Sequence, residues 1–213
     1  MAHIHLSDGS FTLSWVLLWW LCALVLLGAC LALARRRAVD RRRITAAAFV
    51  TAAAFAAFVV EVPVLGGVHL NLTPFIGILV GPVLGGLVVF VVNILSAAIG
   101  HGGWGLIGAN VLVNFSEVAT GWLAYRGMKR LTPSRFTRAG VATFGGLFVG
   151  NLAEVAVILV SGVQGVAQTG AGLIPGLSLV VAVNLGAAVI EAMVTGFLVE
   201  YLGRVRPEYL GGD

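Results

Sequence analysis

Charge is scarce in this chain: 10% of its 213 residues are Asp, Glu, Lys or Arg, against about 25% in an ordinary soluble domain. There is one lysine, Lys129 in "RGMKRL", so the Gly-x-x-x-x-Gly-Lys-Ser/Thr loop that cradles nucleotide phosphates is absent. No hydrolytic triad and no His-Glu-x-x-His pattern is present either. Any ATP that drives this protein must therefore be hydrolysed by other chains. The two cysteines, Cys22 and Cys30, lie inside one apolar run, which leaves no disulfide framework and no Cys-x-x-Cys metal pattern. No Lys or Arg precedes that run; "RRRAVDRRR" follows it. A cleaved signal carries its positive charge before the apolar core. The reversed order predicts a retained helix whose far end stays in the cytoplasm, with the N-terminus outside.

What the chain has in place of charge is apolar bulk, 59% of its residues, with a mean hydropathy of +1.02. That predicts an all-α integral membrane protein forming a single transmembrane domain over 1–213. The formal charge of +4 is no argument for nucleic acid, because the basic residues cluster in short loops. Apolar segments long enough for a ~30 Å hydrocarbon core run over 12–34, 44–62, 68–81, 83–100, 104–126, 138–160 and 174–202. The third is short, contains Pro74 and ends at Gly81-Pro82. If it failed to cross, "YRGMKRLTPSRFTR" would lie outside, against the positive-inside rule. Seven crossings instead put every Lys and Arg in the cytoplasm and all four histidines, His3, His5, His69 and His101, at the outer surface. The expected architecture is a seven-helix bundle, N-out and C-in. Its parts are an extracellular tail over 1–11, an additional helix over 12–34 and a six-helix core over 44–206.

The opening "MAHIHLSDGS" carries the strongest chemical signal. A free amine, a following backbone amide and a nearby imidazole close fused chelate rings, and planar nitrogen sets of this kind suit Ni(II) or Cu(II). Met1, Ala2 and His3 supply an amine, two amides and a ring. If Met1 is removed, the Ala2 amine with the His3 amide and ring supply three nitrogens. The ordinary alternative is a solvated tail. A further imidazole stands in "VPVLGGVHLNLTPFIGILVGP", where Gly66 and Gly67 permit backbone that other residues avoid, letting His69 fold back over the bundle.

With those residues in view, "HIHLSDGSF", "GGVHLNLTPFIGILVGPVLG" and "GHGGWGLIGANVLVN" resemble the cobalt/nickel substrate-binding S components of energy-coupling factor (ECF) transporters, the CbiM/NikM family. The resemblance covers most of residues 3–125 and beyond Arg126 rests on helix layout. It implies that the N-terminal amine, the amide and ring of a histidine at the second position, and a histidine of the loop after helix 2 hold the ion. It also implies an extra N-terminal helix ahead of a six-helix core. One departure stands out. Counting back from Asp8-Gly9, the acid-Gly pair of the family's opening, aligns His5 with the family's second residue. Either Ala2-His3 takes over as amine and chelate with His5 as an extra ligand, which we favour, or the true start lies later. The candidate ligand set is Met1, Ala2, His3, His5 and His69, with Ni(II) or Co(II) as transported substrate and no organic cofactor.

Around that set, Asn110 and Asn114 are candidate supports behind the ligand loop, and Glu61 a candidate to attract cations or orient His69. His101 in "GHGG" is placed at the rim and left out of the ligand set. Ala48, Ala52 and Ala56 recur at i, i+4 and i+8, a spacing that lets helices approach closely in lipid. The pattern alone fits an intramolecular contact as well as a partner. The resemblance implies that such a face meets the transmembrane coupling subunit, with ATP-binding subunits and a small accessory membrane subunit completing the complex in a prokaryotic cell membrane. Glu117, Glu154 and Glu191 lie within apolar segments, where ionisable residues by default mark function. The plain alternative is interhelical hydrogen bonding to Asn110, Asn114, Asn151 and Asn184. The rival functions are a self-sufficient proton-coupled metal transporter using those glutamates and an intramembrane enzyme or assembly factor, for which no motif speaks.

Overall fold

In hydrocarbon a backbone N–H or C=O without a partner is costly, and a helix satisfies every such group within its own segment. The long apolar runs accordingly fold as helices. The computed structural model describes residues 8–37, 39–59, 61–62, 68–164 and 173–210, with side chains described at all of these except 61, 62, 68, 173–177, 179 and 180. Within them lie α1 (Leu13–Arg36), α2 (Arg41–Val59), α3 (Thr73–Ala98), α4 (Ile107–Gly127), α5 (Arg135–Ser161) and α6 (Leu173–Val205). Among the described residues five stretches are long and apolar enough to cross a membrane: α1, α2, α3, α5 and Val181–Val205 of α6. The protein is thus an all-helical integral membrane protein. Among the described residues, two two-residue strands, β1 (Glu61–Val62) and β2 (Val68–His69), pair antiparallel in a loop between helices, with Glu61 opposite His69.

Two boundaries differ from the sequence expectation. The second apolar segment stops being helical at Val59, because Glu61 and Val62 pair with β2 and Pro63 disfavours helical backbone in the residue before it. The third becomes helical only at Thr73, since Val68 and His69 are strand and Leu72 adopts a left-handed φ of 54°.

α3 covers both apolar segments flanking Gly81-Pro82 and is interrupted there, with Gly81 at φ 77° and ψ 172°. Only glycine tolerates such backbone without strain. The chain turns back on itself at this point. Thr73 and Ile76 from one side and Asn93 and Ser96 from the other border the same small cavity. A straight helix would hold Thr73 and Ser96 about 35 Å apart at 1.5 Å per residue.

Segment 73–80 is the centre of the bundle. Every residue in it is buried except Leu79, which is half-buried. Ile76 and Val80 pack with Ala47, Val50 and Ala54 of α2 and with Leu84, Val88 and Val92 beyond the turn. Phe75 and Ile78 pack with Tyr125, Ala139, Ala142 and Val199 of α4, α5 and α6. Backbones come close on this segment: a Cβ on Gly77 would collide with the Val118 carbonyl.

α4 fixes the distance between two chemically distinct ends. It follows directly on His101 and the short 3-10 turn Trp104–Leu106, and it ends at Arg126, Lys129 and Arg130. Its 21 residues rise about 32 Å, one bilayer core. α1 lies at the periphery. It buries Ala23, Leu27 and Cys30 and exposes Leu13, Leu17, Leu21, Leu24 and Val25, an apolar face of the kind lipid covers.

Candidate metal centre

β2 carries His69 inward, to 4% exposure. Its ring meets the ring of His101 edge to face, with centroids 4.4 Å apart and planes at 82°. Phe58, at the end of α2, packs against both imidazoles, 5.4 Å from His69 and 5.0 Å from His101. The end of α2, the strand that follows it and the turn after α3 thus meet in one aromatic triangle. Gly100 and Gly102, at φ 80° and 93°, supply the left-handed backbone that turns the chain tightly around His101. Ser96 holds that turn by donating from Oγ to the His101 carbonyl at 2.6 Å, while the His101 N–H donates to the Ser96 carbonyl at 2.9 Å.

The start of the described chain is tied to the same corner. Asp8 accepts from the Trp104 N–H at 3.1 Å through Oδ2 and from the Gly105 N–H at 2.9 Å through Oδ1. A Cβ on Gly103 would overlap the Asp8 carboxylate, so the loop is shaped to receive it. The Ser10 carbonyl accepts from the Gln164 N–H at 2.8 Å. Trp20 Nε1 donates to the Trp104 carbonyl at 3.2 Å, and Trp19 Nε1 to Ser161 Oγ at 2.9 Å. The Asp8 and Trp20 bonds fasten the start of the chain and α1 to the loop after His101, and the Ser10 and Trp19 bonds fasten them to the end of α5.

Below the imidazoles is a polar layer. Asn71, Asn93, Ser96 and Asn114 line a cavity of about 10 Å³ whose roof includes Phe58, a volume close to that of one water molecule. Asn110 and Asn114 are both buried on α4, and Asn114 faces this layer. The Glu61 backbone lies opposite His69 in the strand pair, while its side chain is outside the described set. Met1, Ala2, His3 and His5 also lie outside the described residues. Of the expected ligands the structure therefore places His69, and it sets His101 beside it, a residue the sequence reading had put at the rim. Among the described residues no three His, Cys, Asp or Glu side chains converge.

The buried glutamates do different work from one another. Glu117 accepts from Thr73 Oγ1 and fits against Gly150, where a Cβ would overlap its side chain. Glu191 accepts from the Asn71 N–H at 3.1 Å. Asn184 Nδ2 donates to Glu154 Oε2 at 3.3 Å and to Asn151 Oδ1 at 2.9 Å. The hydrogen bonding to asparagine side chains raised as the plain alternative is seen at Glu154. The other two grip the segment 71–73 that joins the histidine strand to the central helix. Nothing in the helical periodicity showed that, since it depends on which helices face that segment.

Ala48, Ala52 and Ala56 lie on the exposed face of α2, whose inner face is Ala47, Val50, Ala54 and Phe58.

Paired imidazoles thus stand at one end of a multi-helical membrane domain, with a buried polar layer beneath them. The family profile described as "Cobalt uptake substrate-specific transmembrane region", CbiM, matches residues 5–209, and this chain belongs to that family. It is 29% identical over 219 residues to the "Cobalt transport protein CbiM" of Geobacter sulfurreducens, covering 97% of this chain and 61% of that relative. The chain therefore spans less than two thirds of the relative's length. A solved structure described as "Crystal Structure of an Truncated Transition metal Transporter" shares the fold. The TM-score is 0.79 at 20% identity, over 95% of this chain and 99% of that one.

Proposed function

We propose that this chain is the substrate-capture membrane subunit of an ATP-driven ECF importer for Ni(II) or Co(II). The ion is taken at the outer face by the N-terminal amine and amide with His3 and His5, and the site is closed by His69. The observation that carries the reading is the convergence of His69, His101 and the Asp8 anchor on one corner of the bundle. A chain spans at most about 3.6 Å per residue, so the Asp8 anchor tethers His5 and His3 within roughly 11 and 18 Å of it. The arrangement suits nitrogen coordination of a late first-row divalent ion.

The chain crosses the membrane seven times, counting segments 73–80 and 82–98 of α3 separately, with its N-terminus outside and its C-terminus in the cytoplasm. The support is the opposition of His69 and His101 at one end of α4 to Arg126, Lys129 and Arg130 at the other, together with the positive-inside rule. The exposed Ala48, Ala52 and Ala56 face meets a transmembrane coupling subunit, and ATP-binding subunits supply the energy. Small residues at this spacing give the close backbone approach on which association in lipid depends.

The test joins mass spectrometry of the mature N-terminus with nickel and cobalt titration of the purified chain. Acetylating the terminal amine, or replacing His3 and His5 together, is expected to abolish tight binding. Undiminished binding after either change overturns the capture site. Uptake into vesicles by the purified chain alone, driven by a proton gradient, would favour the secondary-transporter reading.

A further inference from the structure

At the end of the bundle opposite the histidines lies a cavity of about 630 Å³ around the Gly81-Pro82 turn. Arg37, Arg43, Arg126, Lys129, Arg130 and Arg138 line it with a single carboxylate, Asp40. Six positive charges against one negative leave a net +5 in one concavity. The charges are arranged in depth. Arg138 is buried at 4% exposure, its guanidinium 4.8 Å over the Tyr125 ring and its NH2 donating to the Tyr125 hydroxyl at 3.4 Å. The other five are exposed, and Arg126 lies 5.0 Å over the Trp122 ring. The remaining wall is apolar, made by Ile78, Leu79, Val80, Val83 and Leu84.

That combination selects an amphiphile. A small soluble anion has use for the cations and none for the apolar wall. The cavity sits about one hydrocarbon thickness from the histidine end, and Trp122 lines it where tryptophans anchor at headgroup depth. Basic pockets between membrane helices suit anionic headgroups, and guanidinium forks match the oxygens of a phosphodiester. We propose that this cavity binds an anionic phospholipid, its phosphodiester held by Arg126, Arg130 and Arg138 and an acyl chain laid along Leu79, Val83 and Leu84. The lipid bridges the Gly81 turn, the α1–α2 connection and the end of α4. The assignment is independent of which ion the other end captures.

The experiment is native mass spectrometry of the full chain released from detergent with phosphatidylglycerol or phosphatidylcholine of identical acyl chains. Phosphatidylglycerol is expected to be retained at least tenfold more. Each cation removed is expected to weaken retention about fivefold, so Arg126→Gln with Arg130→Gln brings the two lipids close to parity. Asp40→Asn, which removes the one carboxylate among the described residues lining the cavity, is expected to raise phosphatidylglycerol retention. Arg204→Gln with Arg206→Gln, outside the cavity, is expected to leave it unchanged, and thermal unfolding in the same detergent checks that each variant folds. Equal retention of the two lipids by the unmodified chain overturns the proposal, as does an equal loss from the Arg204 and Arg206 changes. Displacement of phosphatidylglycerol by inorganic phosphate or glycerophosphoglycerol at equal concentration overturns the lipid assignment in favour of a soluble anion. Loss of co-purifying protein subunits in the Arg126 and Arg130 variant, with lipid retention intact, gives the cavity to a protein partner and likewise overturns it.

Discussion

His69 and His101 stand edge to face with ring centroids 4.4 Å apart, and Phe58 touches both. The strand that bears one imidazole and the glycine-rich turn that bears the other therefore cannot move independently. Removing His69 deletes a nitrogen donor, and His69→Ala is expected to weaken nickel and cobalt binding by more than about a hundredfold. Groups that orient a ligand commonly cost about 10–100-fold when lost, which is the loss expected of His101→Ala. His101→Phe keeps the ring contact without the nitrogen. Calorimetric titration then separates the roles: recovery to within a few-fold means that His101 positions its neighbour, and a loss equal to that of His101→Ala means that its nitrogen is used.

Asp8 is expected to act on affinity more than on folding. Its two bonds to the Trp104 and Gly105 amides are charge-assisted and lie at the surface. Asp8→Ala frees the tail and is expected to lower ion affinity about tenfold, the equivalent of about 1.4 kcal/mol, with little change in thermal midpoint. Asp8→Asn keeps one acceptor and falls between. A large drop in midpoint with unchanged affinity would show that the anchor serves the fold instead.

Sequence alone went furthest where the bilayer dictates the answer. The apolar runs had to be helices, and the Gly81-Pro82 pair marked the turn because it combines left-handed backbone with a missing donor. The two-residue strands left no readable period, so Glu61 read as the end of a helix. The Asp8-Gly9 pair stood out in the sequence, but its receptor is a loop nearly a hundred residues away, and only tertiary structure brings the two together. His101 looked peripheral for the same reason. The alanine stripe at Ala48, Ala52 and Ala56 was legible as a pattern. Its exposure was not, because period alone does not say which face of α2 meets α3.

The Glu191 carboxylate accepts a backbone N–H at Asn71, next to the left-handed Leu72. Glutamine offers a carbonyl oxygen in the same place, so Glu191→Gln is expected to be tolerated. Glu191→Ala leaves a buried N–H unsatisfied, at a cost of about 1–3 kcal/mol. Thermal unfolding should show the alanine variant falling well below the glutamine variant. Equal midpoints would mean that water or another group takes over the bond.

Gly150 gives Glu117 its room. Gly150→Ala is expected to destabilise the bundle by about 1–3 kcal/mol through overpacking. Its effect should shrink when Glu117→Ala is also present, because residues in contact are energetically coupled. Strictly additive midpoints in the double variant would show that the two residues do not share the space.

Ion binding is expected to weaken as pH falls. The donors proposed are an amine and imidazoles, and protons compete with the metal for each of them. The sign is the same for every donor, so affinity should drop steadily from about pH 8 to about pH 5, the range in which imidazoles titrate. Titration at several pH values checks this, and a flat profile would require oxygen donors in place of nitrogen.

Segment 73–80 is enclosed by α2, α4, α5, α6 and the return segment 82–98, and it begins at the level of Glu117, deep in the bundle. It acts as a stopper in the half of the protein away from the histidines. For an ion captured at the histidine corner as proposed, this packed segment is the obstacle to the far side, and displacing it means moving a whole helix rather than a side chain.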